Sequence, residues 1–135
     1  MTTSPRMKVL VVDDNHEILS IFSEIFKDSD LSIFTTDNGQ SAILEMRNEE
    51  YDIAFIDVYM PNMNGLTTLK ELKKINPDLI AVMISGYKNE SMLEEALKIG
   101  ADEYLFKPLD IQSIMSTVVK CAKKMGIDEH LEIIQ

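Results

Sequence analysis

The sequence is poor in several features that would place it in a particular class of protein. Cys121 is the only cysteine, so no disulfide can form within the chain, and we expect a reducing compartment. No apolar run approaches the ~20 residues that a membrane-spanning helix needs. The N-terminal residues MTTSPR lack the apolar stretch of a secretory signal. We therefore expect a cytoplasmic protein without membrane insertion.

Basic residues are also scarce. The 135 residues include 13 Lys and Arg against 23 Asp and Glu, which gives a net charge of −10. A surface this acidic repels nucleic-acid phosphates and anionic lipids, so we expect no direct contact with nucleic acid. It favours a cation or a basic partner, or it serves only to keep the protein in solution.

Short apolar runs alternate with segments whose apolar residues recur at helical spacing. The predicted strands are Lys8–Val12, Leu31–Thr36, Asp52–Ile56, Leu79–Ile84 and Glu103–Phe106. A helical pattern follows each strand, and Gly100 and Gly126 stand where the fourth and fifth helices should stop. This alternation predicts an α/β fold, a doubly wound five-stranded parallel sheet with five helices on its two faces. We assign residues 1–7 to a polar N-terminal arm, 8–125 to the domain and 126–135 to a tail or linker stub.

Polar side chains stand at the carboxyl ends of four predicted strands. They are Asp13 and Asp14 after the first strand, Asp57 after the third, Ser85 after the fourth and Lys107 after the fifth. Because the carboxyl ends of parallel strands point the same way, we expect these residues to converge on one edge of the sheet, where such folds bind ligands.

Two interpretations of the acids compete. Asp13 and Asp14 could cap the first helix, since Asp is a favoured N-cap. A third carboxylate beside them favours a metal site instead, because like charges this close repel unless a cation joins them. Three carboxylates form the hard oxygen cage that Mg²⁺ takes together with water.

The same residues suit phosphoryl transfer. A carboxylate such as Asp57 can act as the nucleophile that forms an acyl phosphate. A metal would screen it from the incoming dianion and stabilise the phosphoryl oxygens. Ser85 could donate a hydrogen bond to one of these oxygens, and the ammonium of Lys107 could pair with another.

The motifs VVDDN, FIDVYMPNMNG, ISGY and ADEYLFKP, in this order and spacing, resemble those of the receiver domains of two-component response regulators, including the chemotaxis regulators. The resemblance extends from about Lys8 to Lys124. It implies a flavodoxin-like strand order of 2-1-3-4-5 and a cis bond between Lys107 and Pro108. It also implies a signalling switch rather than an enzyme, with self-phosphorylation and autodephosphorylation as its only reactions.

The resemblance implies roles for the acids. Asp57 would be modified by a phosphoryl group from the phosphohistidine of a sensor histidine kinase or a phosphotransfer protein. The implied Mg²⁺ ligands, which Mn²⁺ could also use, are Asp13, Asp14, Asp57 and the backbone carbonyl of Tyr59. Asp13 would act mainly through water.

It also implies how the signal leaves the site. Ser85 and Tyr104 would be the switch residues, acting on the face formed by the fourth helix, fifth strand and fifth helix. That face would control a downstream protein or an output domain outside this chain. The fifth helix carries lysines but no arginine, which argues against dimerisation through this face and leaves a monomer or a phosphorylation-dependent dimer.

Three other interpretations stay open at this point. An aspartyl-phosphate hydrolase would need a general acid two residues after Asp57, where Tyr59 stands. A flavin protein would need an anion-binding loop after the first strand, where DDNHE would repel phosphate. A degenerate receiver could act only as a docking module, although the full set of polar residues argues against it.

Overall fold

Five strands and five helices alternate along residues 7–61, 63–86 and 89–126, the part of the chain that the computed structural model describes. The strands are β1 (Met7–Val12), β2 (Leu31–Thr36), β3 (Ile53–Asp57), β4 (Ile80–Ser85) and β5 (Glu103–Phe106). The helices are α1 (His16–Phe26), α2 (Gly39–Asn48), α3 (Gly65–Ile75), α4 (Glu90–Ile99) and α5 (Ile111–Lys124). Within the described residues, no helix is both long and apolar enough to cross a bilayer.

All five strands are parallel and lie in the order β2-β1-β3-β4-β5. The doubly wound fold and the strand order implied by the resemblance are therefore confirmed. Five strand boundaries differ by one residue from those predicted: β1 starts one residue earlier, and β3 and β4 each start and end one residue later. β3 and β4 therefore include the polar residue that was expected to follow them. Asp57 pairs with Ile84, and Ser85 pairs with Phe106, so the ladder continues to the edge where the polar residues lie.

Successive side chains of each central strand point to opposite faces of the sheet and pack in two separate apolar layers. In β3, Ile53 and Phe55 pack with α1 and α5, whereas Ala54 and Ile56 pack with α2, α3 and α4. We call these the α1/α5 layer and the α2/α3/α4 layer. Strands covered on both faces read as continuous apolar runs, which is why the sequence pattern located them. Each large side chain that is fully buried in these layers contributes about 1.5–3 kcal/mol.

Short polar side chains start every helix. The N-caps are Asn15, Asn38, Asn64, Asn89 and Asp110, and each side-chain oxygen accepts a hydrogen bond from a backbone N–H of the first turn. The cap of α1 is therefore Asn15, not Asp13 or Asp14. Gly100 ends α4 at a φ of 124°, and Gly126 follows α5 at a φ of 75°, as their positions in the sequence predicted.

Two aspartates stabilise the sheet at the amino-terminal ends of its strands, opposite the end where the polar residues of the predicted site lie. The side chain of Asp52, just before β3, accepts the N–H of Lys8 at 2.8 Å. The side chain of Asp102, just before β5, accepts the N–H of Ala81 at 2.9 Å and lies 3.6 Å from Lys73 Nζ. Each carboxylate supplies a hydrogen bond to the neighbouring strand where the backbone ladder begins, so it helps fix the register of that pair of strands.

Replacing Asp102 with alanine should lower the free energy of unfolding by about 1–3 kcal/mol, because the buried N–H of Ala81 would lose its acceptor. Asp102→Asn keeps a side-chain oxygen and should recover most of the loss. Urea unfolding measures both effects. Asp78→Ala, at an exposed acid beside β4, is the control, and an equal loss in that variant would contradict the role given to Asp102.

Candidate functional site

The sheet brings the polar residues predicted from the sequence to one edge. Asp13 and Asp14 follow β1, Asp57 ends β3, and Lys107 follows β5. Lys107 Nζ lies 3.2 Å from Asp13 Oδ2 and 3.4 Å from Asp57 Oδ2. One carboxylate oxygen from each of the three aspartates lies within 4.8 Å of the others. We call this set of four residues the acidic site.

Burial makes the charges of the acidic site interact strongly. Asp13 is fully buried and the side chain of Asp57 is 4% exposed, whereas Asp14 is exposed to solvent. The pKa of Asp57 is raised to about 7, first because its carboxylate is buried and second because the charge of Asp13 lies beside it. The ammonium of Lys107 acts in the opposite direction but does not cancel these effects. A nucleophilic carboxylate at this position therefore needs a further positive charge to be fully ionised at neutral pH.

The donor set fits a hard divalent cation. Three carboxylates lie close together, two of them are paired with the ammonium of Lys107, and all their donor atoms are the oxygens that Mg²⁺ prefers. Asp13 Oδ2 is buried without a hydrogen bond in acceptable geometry, although Lys107 Nζ lies nearby. A buried carboxylate oxygen in this state is stabilised when a cation or its water lies beside it. The residues present are thus suited to hold a metal ion.

The loop between β3 and α3 is pressed against the backbone of Asp57. Gly65 N–H donates to the carbonyl of Val58 at 2.7 Å, and Val58 N–H donates to the carbonyl of Ile84 at 2.9 Å. A Cβ atom at Gly65 would overlap the carbonyl oxygen of Asp57 and crowd Val58 Cα. Gly65 therefore allows the start of α3 to approach the acidic site. The sequence marked this loop as a turn, but only the structure shows the steric need for glycine.

Ser85 and Tyr104 lie on neighbouring strands beside Asp57. Both project toward the α2/α3/α4 layer, and the Tyr104 hydroxyl is buried. Burial raises the pKa of Tyr104, and the nearby Ser85 hydroxyl acts against that effect. The two hydroxyls approach each other, yet Tyr104 makes no hydrogen bond in acceptable geometry within the described residues. Both predicted switch residues are thus close to the predicted acceptor.

Other features named from the sequence have mixed outcomes. The cis bond between Lys107 and Pro108 is present. Tyr59, two residues after Asp57, is 41% exposed, and its N–H donates to Asp57 Oδ1 at 3.3 Å. The N-terminal arm up to residue 6 and the tail from residue 127 lie outside the described residues, as does Tyr87, which stands two residues after Ser85. Sequence analysis missed Phe106, whose ring packs on Tyr104; its position two residues further along the strand was the available signal.

Known proteins share this fold and its motifs. The family described as the response regulator receiver domain matches residues 9–119. The transcriptional regulatory protein ZraR of Escherichia coli (strain K12) is 32% identical over 118 residues, which are 87% of this chain but 27% of that protein. Sporulation initiation phosphotransferase F of Bacillus subtilis (strain 168) is 30% identical over 113 residues, 84% of this chain and 91% of that protein.

A solved structure agrees with these relatives. A chain in the crystal structure of the CheX-CheY-BeF3-Mg+2 complex from Borrelia burgdorferi has a TM-score of 0.78 and 27% identity. The match covers 87% of this chain and 97% of that one. The chain thus spans nearly all of two similar proteins, and 27% of the length of the transcriptional regulator.

Asp57→Asn should stabilise the metal-free protein by an amount that grows with pH. The folded-state pKa of Asp57, about 7, lies above its ordinary value. Between those two values the folded parent holds a proton that the unfolded chain has lost, so the stability of the parent falls as pH rises. Asparagine carries no such proton. The free energy of unfolding of the variant should therefore rise relative to that of the parent from about pH 4 to pH 7. Above pH 7 the difference should stay constant, on the order of 1–3 kcal/mol.

Urea unfolding at several pH values in a chelator measures this difference. Asp78→Asn, at an exposed acid, is the control. Replacing the chelator with Mg²⁺ should stabilise the parent more than Asp57→Asn, because binding to the folded state alone shifts unfolding by mass action. If the difference in unfolding free energy between Asp57→Asn and the parent stays constant from pH 4 to pH 8, the raised pKa of Asp57 in the folded protein is contradicted.

Proposed function

The chain belongs to the response regulator receiver family, the signalling switches of two-component phosphorelays, and we propose that Asp57 is its phosphoacceptor. One observation carries the proposal: Asp57 is a buried strand-end carboxylate within 3.4 Å of Lys107 and beside two further acids. The donor is the phosphohistidine of a sensor histidine kinase or of a phosphotransfer protein. The similarity to sporulation initiation phosphotransferase F supports a place in phosphoryl transfer.

The transfer is a displacement at phosphorus. A carboxylate oxygen of Asp57 forms the new O–P bond while the P–N bond to the donor imidazole breaks, and the electron pair of that bond stays on the imidazole. Lys107 turns from the carboxylate toward a phosphoryl oxygen and balances part of its charge. Ser85 donates its hydroxyl hydrogen to another phosphoryl oxygen. These residues position and neutralise the phosphoryl group, which is the main demand of this chemistry.

Magnesium completes the charge balance of the site. The residues that would hold the ion are Asp13, Asp14, Asp57 and the backbone carbonyl of Tyr59, with Asp13 acting mainly through water, and Mn²⁺ is the alternative. When bound, the metal supplies positive charge between the carboxylate and the incoming dianion. The similar Borrelia burgdorferi complex, whose description includes Mg²⁺ and BeF3, supports this assignment.

The signal leaves through Ser85 and Tyr104. Movement of Ser85 toward the phosphoryl group opens space that favours the inward position of Tyr104, which alters the face made of α4, β5 and α5. Glu103 of β5 pairs with Lys120 and Lys124 of α5 at 3.1 Å and 3.8 Å, so strand and helix are linked on this face. Phosphorylation shifts a pre-existing equilibrium, and a full change from 1:99 to 99:1 takes about 5.5 kcal/mol of differential stabilisation.

The output acts outside the described residues. Residues 8–125, together with Met7 at the start of β1, form the receiver, residues 1–6 are an arm, and residues 126–135 are a tail or linker stub. The similar ZraR protein is far longer than this chain, whereas the similar phosphotransferase is close to it in length. Either a downstream protein or an output domain could read the switched face, and the receiver works as a monomer or a phosphorylation-dependent dimer.

Incubation with acetyl phosphate and Mg²⁺ should add one phosphoryl group, seen as a single mass increment by intact-mass spectrometry. Asp57→Asn should lose the increment, and so should the parent in a chelator. Asp110→Asn, a conservative change at the exposed cap of α5, is the matched control and should keep it. If neither acetyl phosphate nor a cognate kinase phosphorylates the parent, the phosphoacceptor function is wrong and a docking module is the better interpretation.

Tyr59→Asn should shorten the life of the aspartyl phosphate. Tyr59 lies two residues after the acceptor, its N–H donates to Asp57 Oδ1 at 3.3 Å, and its side chain is partly exposed. We infer from this proximity that its ring obstructs the water that attacks the phosphoryl group. Its removal should speed loss of phosphate by roughly two- to tenfold, equal to about 0.4–1.4 kcal/mol of barrier. Decay of the phosphorylated mass with time measures the rate.

The matched control is Leu44→Asn, an equally polar change at an exposed site on α2. It should leave the decay unchanged. The hypothesis extends to Tyr87 at the corresponding position after Ser85, and combining Tyr59→Asn with Tyr87→Ala should accelerate decay further. Decay in the double variant no faster than in the parent would show that these rings do not shield the phosphate.

A further inference from the structure

Tyr104 and Phe106 lie on the same side of β5. Side chains alternate along a strand, so residues two apart share a face. Tyr104 packs against the α2/α3/α4 layer, whereas Leu105 packs against the α1/α5 layer. The rings of Tyr104 and Phe106 form a tilted pair with centroids 5.1 Å apart and planes at 39°. β5 therefore carries two stacked aromatic rings that lead toward the acidic site.

Phe106 is also the direct cross-strand neighbour of Ser85. The register pairs Ser85 with Phe106, and Met83 with Tyr104. Met83 packs in the α2/α3/α4 layer, and Ser85, two residues further along β4, projects to the same side. Neighbouring strands in a sheet lie about 4.7–4.9 Å apart in the hydrogen-bonding direction. Phe106 is thus next to both residues that are proposed to move when Asp57 is phosphorylated.

Burial does not account for a phenylalanine at this position. Phe106 is 39% exposed, although it is the last residue of a strand whose other aromatic ring points inward. The Tyr104 hydroxyl, in contrast, is buried without a hydrogen bond in acceptable geometry. A buried hydroxyl in that state costs free energy, so the inward position of Tyr104 needs support from its ring contacts. The Phe106 ring is a contact of that kind.

We propose that Phe106 is a positioning residue of the phosphoacceptor site, whose ring holds Tyr104 inward beside Ser85 and so sets the fraction of molecules arranged for phosphorylation. The proposal rests on the proposed function and adds a residue to its switch. Outward rotation of Tyr104 separates the two rings, so the aromatic contact favours the inward state. Loss of the Phe106 ring shifts the population outward before any phosphoryl group has arrived.

The test compares three variants. Phe106→Leu removes the ring but keeps an apolar side chain, and Phe106→Tyr keeps the ring. Phe34→Leu is the matched control, because Phe34 lies half-buried on β2, the other edge strand, and its ring pairs with Tyr51 at 6.4 Å. Like Phe106, it is a partly exposed phenylalanine on an edge strand whose ring contacts a tyrosine, but its strand is not next to that of Ser85. Urea unfolding of each variant reports its stability separately.

Phosphorylation by acetyl phosphate at saturating Mg²⁺ is followed by intact mass over a range of donor concentrations. We expect Phe106→Leu to lower the maximal rate about two- to tenfold, the range that an aromatic pair of this kind supports. The half-saturating concentration of acetyl phosphate should stay the same, because Phe106 does not contact the donor. Phe106→Tyr, which keeps the aromatic ring, should be phosphorylated at the same maximal rate as the parent. Phe34→Leu should leave the rate unchanged even where it lowers stability.

A second measurement follows Tyr104 directly. In protein labelled on its four tyrosines, the ring signals of Tyr104, assigned with Tyr104→Phe, should show weaker contacts to Ser85 in Phe106→Leu than in the parent. An unchanged rate together with unchanged Tyr104 contacts would overturn the proposal, as would an equal loss of rate in Phe34→Leu. A parent that accepts no phosphoryl group from acetyl phosphate or from a cognate kinase would instead overturn the proposed function, and this inference with it.

Discussion

The constraint on which the rest of this structure depends is a group of three neighbouring carboxylates with one ammonium, which pairs with two of them. The oxygens of Asp13, Asp14 and Asp57 lie within 4.8 Å of one another, and two of these residues are buried. Such a group costs stability when it stands alone, as the raised pKa of Asp57 shows. The apolar layers on both faces of the sheet offset that cost, because β3 is buried along its whole length. The fold therefore tolerates a strained site that is relieved when positive charge arrives.

The parallel sheet brings these charged residues together, although they are far apart in the sequence. Asp13 and Lys107 are separated by 94 positions in the chain, yet they form an ion pair because β1 and β5 end at the same edge. At the opposite edge, Asp52 and Asp102 accept strand N–H groups and are satisfied. Acids thus stand at both edges of one sheet with contrasting roles. At the amino-terminal ends of the strands they complete the hydrogen-bond ladder. At the carboxyl ends, Asp13 and Asp57 share the ammonium of Lys107.

Much of the fold and of the acidic site could be predicted from the sequence, and the reasons are physical. Buried strands read as apolar runs, and parallel alignment gathers their polar ends, so Asp57 and Lys107 could be placed together before any distance was known. The contribution of Gly65 could not, because its close approach to Asp57 depends on the path of the β3–α3 loop. The sequence offered Asp13 and Asp14 as possible caps of α1, whereas the local geometry of the chain makes Asn15 the cap. Strand order came from the resemblance, since alternation alone allows several topologies.

The position of β5 suits the switch role proposed for Tyr104. β3 and β4 are fully buried, so a shift in either would have to displace packed core. β5 is an edge strand whose residues are all partly exposed, and it adjoins Ser85 through the last pair of its ladder. β2 is also an edge strand, but it carries no residue of the site. Tyr104 is therefore less enclosed by packed core than the residues of β3 and β4, which is consistent with the switch role proposed for it.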